Sequence, residues 1–167
     1  MHGFYLNTGL IMYINNVKFA KSAQECVGKI DLSAQPRIQE IDNYTGALSF
    51  KLVGFVDKLN RPTLSLTIHG IIHALCQNCL QPMEVSIDNH SEITVFYTED
   101  ELDAALFGGH DSEVEDGVLA EEEFDVMQLV EDEVIMLIPY AHRHESCVGL
   151  SYADEADSPF KMLKEII

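Results

Sequence analysis

The sequence predicts an α+β fold, in which an antiparallel β-sheet or partial barrel built from hairpins packs against a capped core helix and a short C-terminal helix. Three observations predict it. Apolar and polar residues alternate along three runs between residues 48 and 97, which is typical of half-buried strands. Turn-forming residues separate those runs. A stretch of helical periodicity at residues 126–138 then lies between a capping residue and a proline.

The first two runs are expected to form an antiparallel hairpin. The first has apolar residues at alternate positions, Leu48, Phe50 and Leu52, and a turn at residues 58–62 follows it. The second run, residues 63–73, places its apolar residues on one face and its histidines, His69 and His73, on the polar face. The third run, residues 83–97, is long for one strand, and a bulge is predicted at residues 89–91.

The core helix is predicted from its cap and its apolar stripe. Asp125 and Gln128 fit a capping box, and Pro139 ends the helix. The acids at residues 131–133 are expected on its solvated face. The apolar stripe consists of Val126, Val130, Val134 and Leu137.

Shorter helices are predicted elsewhere in the chain. Residues 16–22 and residues 37–41 are each predicted to form a short helix or turn. Ser158 and Pro159 can cap and begin a last helix at residues 160–167, whose apolar residues can dock on the core.

The organisation expected from composition is one domain at residues 12–167, preceded by a disordered extension at residues 1–11. A chain of 167 residues is long enough to bury a core without cross-links. No apolar run approaches the length of a membrane span. Residues 99–123 contain 11 acids and no Lys or Arg, and we expect a mobile acidic loop there.

Charge is distributed unevenly along the chain. Residues 1–61 contain seven Lys or Arg and five acids, whereas residues 62–167 contain three Lys or Arg and 23 acids. Such a negative field repels phosphate backbones and attracts basic proteins. We therefore expect a basic protein partner, with direct RNA binding weak or indirect. Any RNA contact is expected to come from the N-terminal third, through Lys51, Lys58 and Arg61.

Two cysteines three residues apart lie where the second run ends and the third begins. Residues 76–82 read Cys-Gln-Asn-Cys-Leu-Gln-Pro, and the Asn and Pro favour a turn that directs both sulfurs to one spot. This is half of a tetrahedral metal site. The other half has to come from residues 142–147, which contain His142, His144 and Cys147.

Three landmarks occur in a characteristic order: the Cys76–Cys79 pair after two strands, the acidic helix ending in Leu137-Ile138-Pro139, and the Ser158-Pro159-Phe160 helix start. In this order they resemble the bacterial YceD family, the large ribosomal RNA subunit accumulation proteins, over about residues 12–167. The resemblance implies a cytoplasmic, non-enzymatic factor in the synthesis, processing or stability of large-subunit (23S) ribosomal RNA. It also implies the metal binding and nucleic-acid binding described for some members.

This sequence departs from the fuller cysteine set of that family. Cys76 and Cys79 match the family's first pair, but the second cluster is replaced by His142, His144 and the single Cys147. Zinc accepts a Cys₃His shell of the three cysteines and one of the two histidines. The alternative is a pair of turn cysteines that bind no metal.

The rival hypothesis is a thiol-disulfide or metal-dependent enzyme that uses the Cys76/Cys79 pair. A thioredoxin-like pair begins a helix in a βαβ pattern, whereas this pair lies between β-like runs. Four cysteines without an export signal indicate a reducing cytoplasm, in which a Cys pair more often binds metal than forms a disulfide. Cys26 lies outside any ligand spacing and is interpreted as a small buried apolar residue.

Overall fold

The computed structural model describes residues 4–5, 12–107, 114, 116–145 and 147. Its main sheet has six strands in the order β1-β3-β4-β5-β6-β7, and a second sheet pairs β2 with β8. The strands are β1 (Phe4–Tyr5), β2 (Tyr13–Ile14), β3 (Glu25–Asp31), β4 (Ala47–Val56), β5 (Pro62–Leu75), β6 (Pro82–Phe96), β7 (Asp116–Leu119) and β8 (Phe124–Asp125). The helices are α1 (Asn16–Lys21), α2 (Pro36–Ile41), α3 (Glu99–Phe107) and α4 (Val126–Leu137), with a 3-10 turn at Leu32–Ala34.

The predicted α+β class is confirmed. Strands β3 to β6 form an antiparallel meander, whereas β1 and β7 pair in parallel at its two ends. Among the described strands the order ends at β1 and β7, so the sheet stays open rather than closing into a barrel. The predicted C-terminal helix lies outside the described residues.

One face of the sheet contains the core. The alternate side chains Leu48, Phe50 and Leu52 are almost fully buried, as are the even-numbered apolar residues of β5. Helix α1 packs closely on β4 because Gly54 has no side chain: a Cβ there would lie 2.5 Å from the Phe19 carbonyl oxygen. Val126, Val130 and Val134 of α4 belong to the same core cluster. The opposite face carries the exposed side chains of Lys51, His69 and His73.

The core helix begins as predicted. The Asp125 carboxylate accepts hydrogen bonds from the Met127 and Gln128 backbone N–H groups, at 2.9 and 3.2 Å, which caps two otherwise unpaired donors. The expectation of a solvated acidic face is wrong in part. Glu131 is buried, and one of its oxygens lies 3.6 Å from the Arg37 guanidinium. Burial also raises the pKa of Glu133 above its usual value, although the Ser91 hydroxyl donates a hydrogen bond to it at 3.0 Å.

Three local predictions need correction. The bulge at residues 89–91 does not form, because β6 keeps a continuous register with β5 there, from Ile68–Asn89 to Leu66–Ser91. The segment 99–123 is not a loop throughout, since it includes α3 and β7. Within the expected N-terminal extension, Phe4 and Tyr5 pair in parallel with Cys26 and Val27 of β3.

The buried side chain of Asn16 in α1 forms hydrogen bonds with residues 119–121, at the end of the acidic segment. The Asn16 amide donates to the Leu119 carbonyl at 2.8 Å and accepts from the Glu121 N–H at 3.0 Å. Asn16 is fully buried, and satisfied bonds of this kind hold two distant segments in one arrangement. Residues 119–121 therefore have a fixed position, although the sequence around them is strongly acidic.

The β4–β5 turn depends on Asp57. Its carboxylate accepts from the Leu59 and Arg61 N–H groups and pairs with the Arg61 Nε at 2.7 Å. Burial opposes ionisation, but the Arg61 hydrogen bonds and charge outweigh it, so the pKa of Asp57 lies below its usual value. Asp57→Ala should lower the free energy of unfolding by about 2–3 kcal/mol near neutral pH.

This effect should depend on pH with a definite sign. The folded-state pKa is depressed, so the contribution is present above the unfolded-state value of about 3.9 and is lost as pH falls through the folded-state value. Urea unfolding of wild type and Asp57→Ala should therefore converge on acidification. The control variant is Asp103→Ala, which removes the carboxylate of an exposed residue in α3. An Asp57→Ala difference that stays constant from neutral to strongly acidic pH would contradict this account.

Candidate metal centre

The turn between β5 and β6 holds the first two cysteines. The Cys76 N–H donates to the Gln81 carbonyl, and the Leu80 N–H donates to the Cys76 carbonyl, both at 2.9 Å. Leu80 adopts a left-handed conformation with φ 57°, which allows the chain to reverse tightly. The Asn78 N–H also donates to the Cys76 sulfur at 3.4 Å. The turn therefore directs Cys76 and Cys79 to one spot, as the sequence predicts.

The segment after α4 closes over this turn. The Gln77 N–H donates to the His142 carbonyl at 3.0 Å, and the Asn78 side chain donates to the Cys147 carbonyl at 3.5 Å. A backbone bond of 3.2 Å between the Cys147 N–H and the His144 carbonyl makes a second turn. These bonds bring together two segments about 70 residues apart in the chain.

Four ligand atoms converge between the two turns. They belong to Cys76, Cys79, His144 and Cys147, and all lie within 4.8 Å of one another. The Cys76 and Cys147 sulfurs are 3.7 Å apart, and the Cys79 sulfur lies 3.5 Å from His144 Nδ1. Tetrahedral coordination with ordinary zinc bond lengths requires about 3.8 Å between two sulfurs and about 3.5 Å between a sulfur and a nitrogen. This Cys₃His cluster can hold a metal ion.

The other nitrogen of His144 supports the same interpretation. His144 Nε2 lies 3.3 Å from the Pro82 carbonyl oxygen, which can only accept a hydrogen bond. A hydrogen bond between these two atoms requires a proton on Nε2, and in the neutral ring this leaves the lone pair of Nδ1 for the cysteine side of the site. Metal-binding histidines commonly donate their second ring N–H to a carbonyl in this way.

The sulfurs of the cluster differ in acidity. Burial opposes ionisation of Cys76, but hydrogen bonds to its sulfur, first from the Cys79 and Asn78 backbone N–H groups, lower its pKa to about 5. The hydrogen bond of Cys147 to Cys79, together with burial, raises the pKa of Cys147 to about 11. Without metal, the negatively charged form is thus favoured more at Cys76 than at Cys147, although Cys76 is fully buried. A cation bound between the sulfurs would neutralise this charge.

Comparison with known proteins gives the family. Residues 64–161 match the model of the family described as large ribosomal RNA subunit accumulation protein YceD, and this match covers more than half of the chain. The chain belongs to the YceD family. The match includes all four residues of the cluster. No curated protein and no solved structure matches the chain.

The family resemblance seen in the sequence is thus confirmed, although the matched range begins at residue 64 rather than near residue 12. The matched range contains β5, β6, α3, β7, β8 and α4, together with the β5–β6 turn and the segment after α4 that carry the cluster. The N-terminal strands complete that sheet outside the matched range.

His142, the other candidate for the fourth ligand, lies outside the cluster of this YceD protein. Its ring is buried and makes an edge contact with Tyr44, with ring centroids 5.8 Å apart. His142 Nδ1 lies 3.1 Å from the Pro139 carbonyl. His73, three residues before Cys76, is exposed and lies 3.8 Å from Glu84 across the strand pair. Of the two candidate histidines, His144 is therefore the one whose ring lies beside the three sulfurs.

The basic residues singled out from the sequence do not form one patch. Lys51 pairs with Glu25 at 3.1 Å in the middle of the sheet, and Arg61 pairs with Asp57. Lys58 is exposed in the β4–β5 turn. Five residues of strand separate Lys51 from the end of β4, or about 16 Å. Their positive charges are thus spread out and partly neutralised.

Cys26 lies in β3 and is fully buried, and its burial raises its pKa to about 11. It takes no part in the cluster. Sequence reasoning assigned Asn78 and Pro82 to the turn but missed their contacts with the other half of the site: the Asn78 side chain donates to the Cys147 carbonyl, and the Pro82 carbonyl lies 3.3 Å from His144 Nε2. Both lie inside the recognised Cys-Gln-Asn-Cys-Leu-Gln-Pro segment, so its turn chemistry was the available signal.

Proposed function

We propose that this YceD protein is a non-enzymatic accessory factor in the synthesis, processing or stability of large-subunit (23S) ribosomal RNA, and that it acts during ribosome assembly. The family match over residues 64–161 carries this proposal. The matched range includes the cluster, the acidic segment and α4. The function is therefore assigned to the matched part of the chain, which contains β5, β6, β7, α4 and the segment after α4.

The metal proposed for the cluster is zinc. Three sulfurs and one imidazole are the donor set of closed structural zinc sites. Cys76, Cys79, His144 and Cys147 would hold the ion, which would supply a cross-link between the β5–β6 turn and the chain after α4. The family's second cysteine cluster is reduced here to one histidine and one cysteine, and this set still provides four ligands.

The proposed partner is a basic protein of the large-subunit precursor. The formal net charge of the chain is −18, and negative potentials of this size accelerate association with cationic surfaces. RNA contact is proposed to be weak or indirect and confined to Lys51, Lys58 and Arg61. The ion pairs of Lys51 and Arg61 support a minor role, because their charges are already compensated.

The proposed location is the cytoplasm, where large-subunit RNA is assembled into ribosomes. The family's role in the accumulation of large-subunit ribosomal RNA supports this location. Among the described residues, no helix combines the length and hydropathy required to cross a membrane.

A thiol-disulfide enzyme is the alternative, and it is favoured by the hydrogen bond from the Asn78 N–H to the Cys76 sulfur, which helps to lower the pKa of Cys76. Burial argues against it, since an attacking thiolate has to reach its substrate and Cys76 is fully buried. The pair also lies in a hairpin turn and not at a helix N-terminus. Catalytic turnover in an insulin-reduction assay, abolished by Cys76→Ser, would support the alternative.

Loss of the protein tests the proposed function. Cells lacking it should accumulate less 23S RNA relative to 16S RNA, and the tagged protein should sediment with large-subunit precursors. Expression of Glu99→Gln, which changes an exposed α3 residue, should restore 23S RNA. Cys76→Ser should not. An unchanged ratio of 23S to 16S RNA, with the protein absent from precursor fractions, would refute the proposal.

A further inference from the structure

Among the residues that the structure describes, the first half of β6 is paired on one side only. Strand β5 pairs with β6 along residues 82–94, whereas β7 pairs only with residues 93–96. Within the described part of the chain, no strand lies beside residues 82–92 on the side away from β5. Such an edge presents backbone N–H and C=O groups that can pair with another chain.

A groove of about 840 Å³ runs along this edge. Five consecutive residues of β6, residues 82–86, line one side. Because successive side chains of a strand point to opposite faces, consecutive lining residues mean that the groove follows the backbone edge. The other wall is formed by Pro139 and residues 141–145, the segment that carries His144.

Along this edge, acidic side chains lie on one face of β6 and apolar side chains lie on the other. Three exposed acidic residues lie on one face of the strand: Glu84, Asp88 and Glu92. Each lies about 13 Å from the next along the strand. Met83 and Val85 point to the other face and are only half-buried, although the core lies beneath them. Of the residues that line the groove, Glu84 and Glu145 are acidic, and Arg143 is the only Lys or Arg.

We propose that this edge binds an extended basic segment of a protein partner by strand addition. The partner's backbone would continue the sheet beside β6. Its alternate Lys or Arg side chains would meet Glu84, Asp88 and Glu92, and small apolar residues between them would cover Met83 and Val85. This inference rests on the proposed function, which requires a basic partner, and it specifies where and how that partner binds.

The candidate metal cluster has a direct consequence for this site. His144 belongs both to the cluster and to the groove wall. Its Nε2 also contacts the carbonyl of Pro82, the first residue of the edge. A bound metal would hold the wall at a fixed distance from the strand and so prepare the groove for a partner.

A designed peptide pair tests strand addition on the full-length, zinc-loaded protein. The probe is a ten-residue peptide that alternates lysine with valine, and its control carries N-methyl groups on all of its backbone nitrogens, so that neither edge can donate. Both have the same charge, but the control cannot donate along its edge. We expect the control to bind at least about tenfold more weakly by fluorescence anisotropy. Equal affinities would overturn strand addition.

Hydrogen exchange locates the bound peptide. Backbone amides in residues 83–91 should exchange more slowly when the unmodified peptide is present, while those of β4 should not change. Slower exchange confined to α3 or to the β4–β5 turn would overturn the assignment. Equivalent protection of residues 83–91 by an oligouridine would overturn the choice of a protein partner.

Matched variants test the role of charge. Glu84→Gln with Asp88→Asn removes two charges beside the groove, whereas Glu99→Gln with Asp100→Asn removes two exposed charges about 40 Å along the chain path. The first pair should weaken peptide binding about tenfold, and the second should change it little. Equal weakening by both pairs would mean that only the general negative field attracts the peptide.

Sedimentation separates this inference from the proposed function. If the Glu84→Gln/Asp88→Asn protein sediments with large-subunit precursors as wild type does, the edge is not the binding site, although the function stands. If wild type itself is absent from these fractions and 23S RNA is unchanged in its absence, the proposed function falls. Reduced sedimentation of this variant alone supports the edge.

Discussion

Purified protein is expected to carry about one zinc ion per chain, and Cys76→Ser to lose it. The four ligand atoms lie within 4.8 Å of one another, and removing one thiolate opens a closed site. Zinc binding to the native state and not to the unfolded chain stabilises by about 4 kcal/mol when free zinc exceeds the dissociation constant a thousandfold. Cys76→Ser should lose a stabilisation of that order, measured by thermal unfolding with and without added zinc.

Substitution of His144 and of His142 in turn tests which histidine binds the metal. His144→Gln removes a ligand and should release the metal, whereas His142→Gln changes a residue outside the cluster, two positions away, and should retain it. Cys26→Ala should also retain the metal, since Cys26 is buried in β3. Metal content is read by mass spectrometry after gentle purification. Protein that is free of metal, and whose melting temperature is insensitive to chelation, would refute the site. Loss of metal from His142→Gln alone would refute the assigned ligand.

Sequence alone predicted the elements that have strong local signals. The capping box before α4 and the proline after it are short-range features, and they define both ends of the helix. The β4–β5 hairpin has clean alternation and a turn with Asp57 and Asn60, which adopts φ 63°. In these places local propensity and tertiary packing favour the same structure.

Strand β3 was not predicted, because its alternation is interrupted. Cys26 and Ile30 face the core, but the position between them is Gly28. The aromatic ring of Phe50 lies where a Cβ of Gly28 would be, 2.7 Å from its ideal position. The reason for this glycine is therefore a contact with a different strand, which a single-sequence pattern does not contain.

The acidic segment was misread for a similar reason. Leu102 of α3 would meet a Cβ on Gly117 at 2.6 Å, and β7 pairs in parallel with the far end of β6. Both contacts are distant in sequence. Local composition predicts solvation for such a segment, whereas the contacts of Leu102 and Asn16 give part of it a fixed structure.

The sequence predicted the two cysteines of the β5–β6 turn but did not decide which histidine joins them. Turn chemistry identified Cys76 and Cys79, but the spacing of His142 and His144 left either as the fourth ligand. The choice depends on the ring contact of His142 with Tyr44, residues that are nearly 100 positions apart. Tertiary packing thus decides which histidine remains available to the sulfurs.

Binding to a basic protein partner is expected to fall steeply with salt, whereas binding to naked 23S RNA should be weak at every salt concentration. Residues 62–167 contain 23 acids and three Lys or Arg, so phosphate contacts form against a repulsive field. Between about 0.05 and about 0.5 M salt, we expect the association rate with the basic partner to fall about a hundredfold, because screening removes electrostatic steering. Stopped-flow association with purified basic large-subunit proteins measures this.

Charge reversal separates the two kinds of binding. The triple change of Lys51, Lys58 and Arg61 to Glu should remove residual RNA binding and spare the basic partner. Because Arg61 also supports the Asp57 turn, Lys58→Glu alone is the cleaner variant: Lys58 is exposed and makes no ion pair among the described residues. Lys18→Glu on α1 reverses the same charge outside the β4–β5 hairpin and serves as control. Tight, salt-sensitive RNA binding in a mobility-shift assay, unaffected by the triple change, would show that RNA reaches another surface and that the partner is not selected by charge.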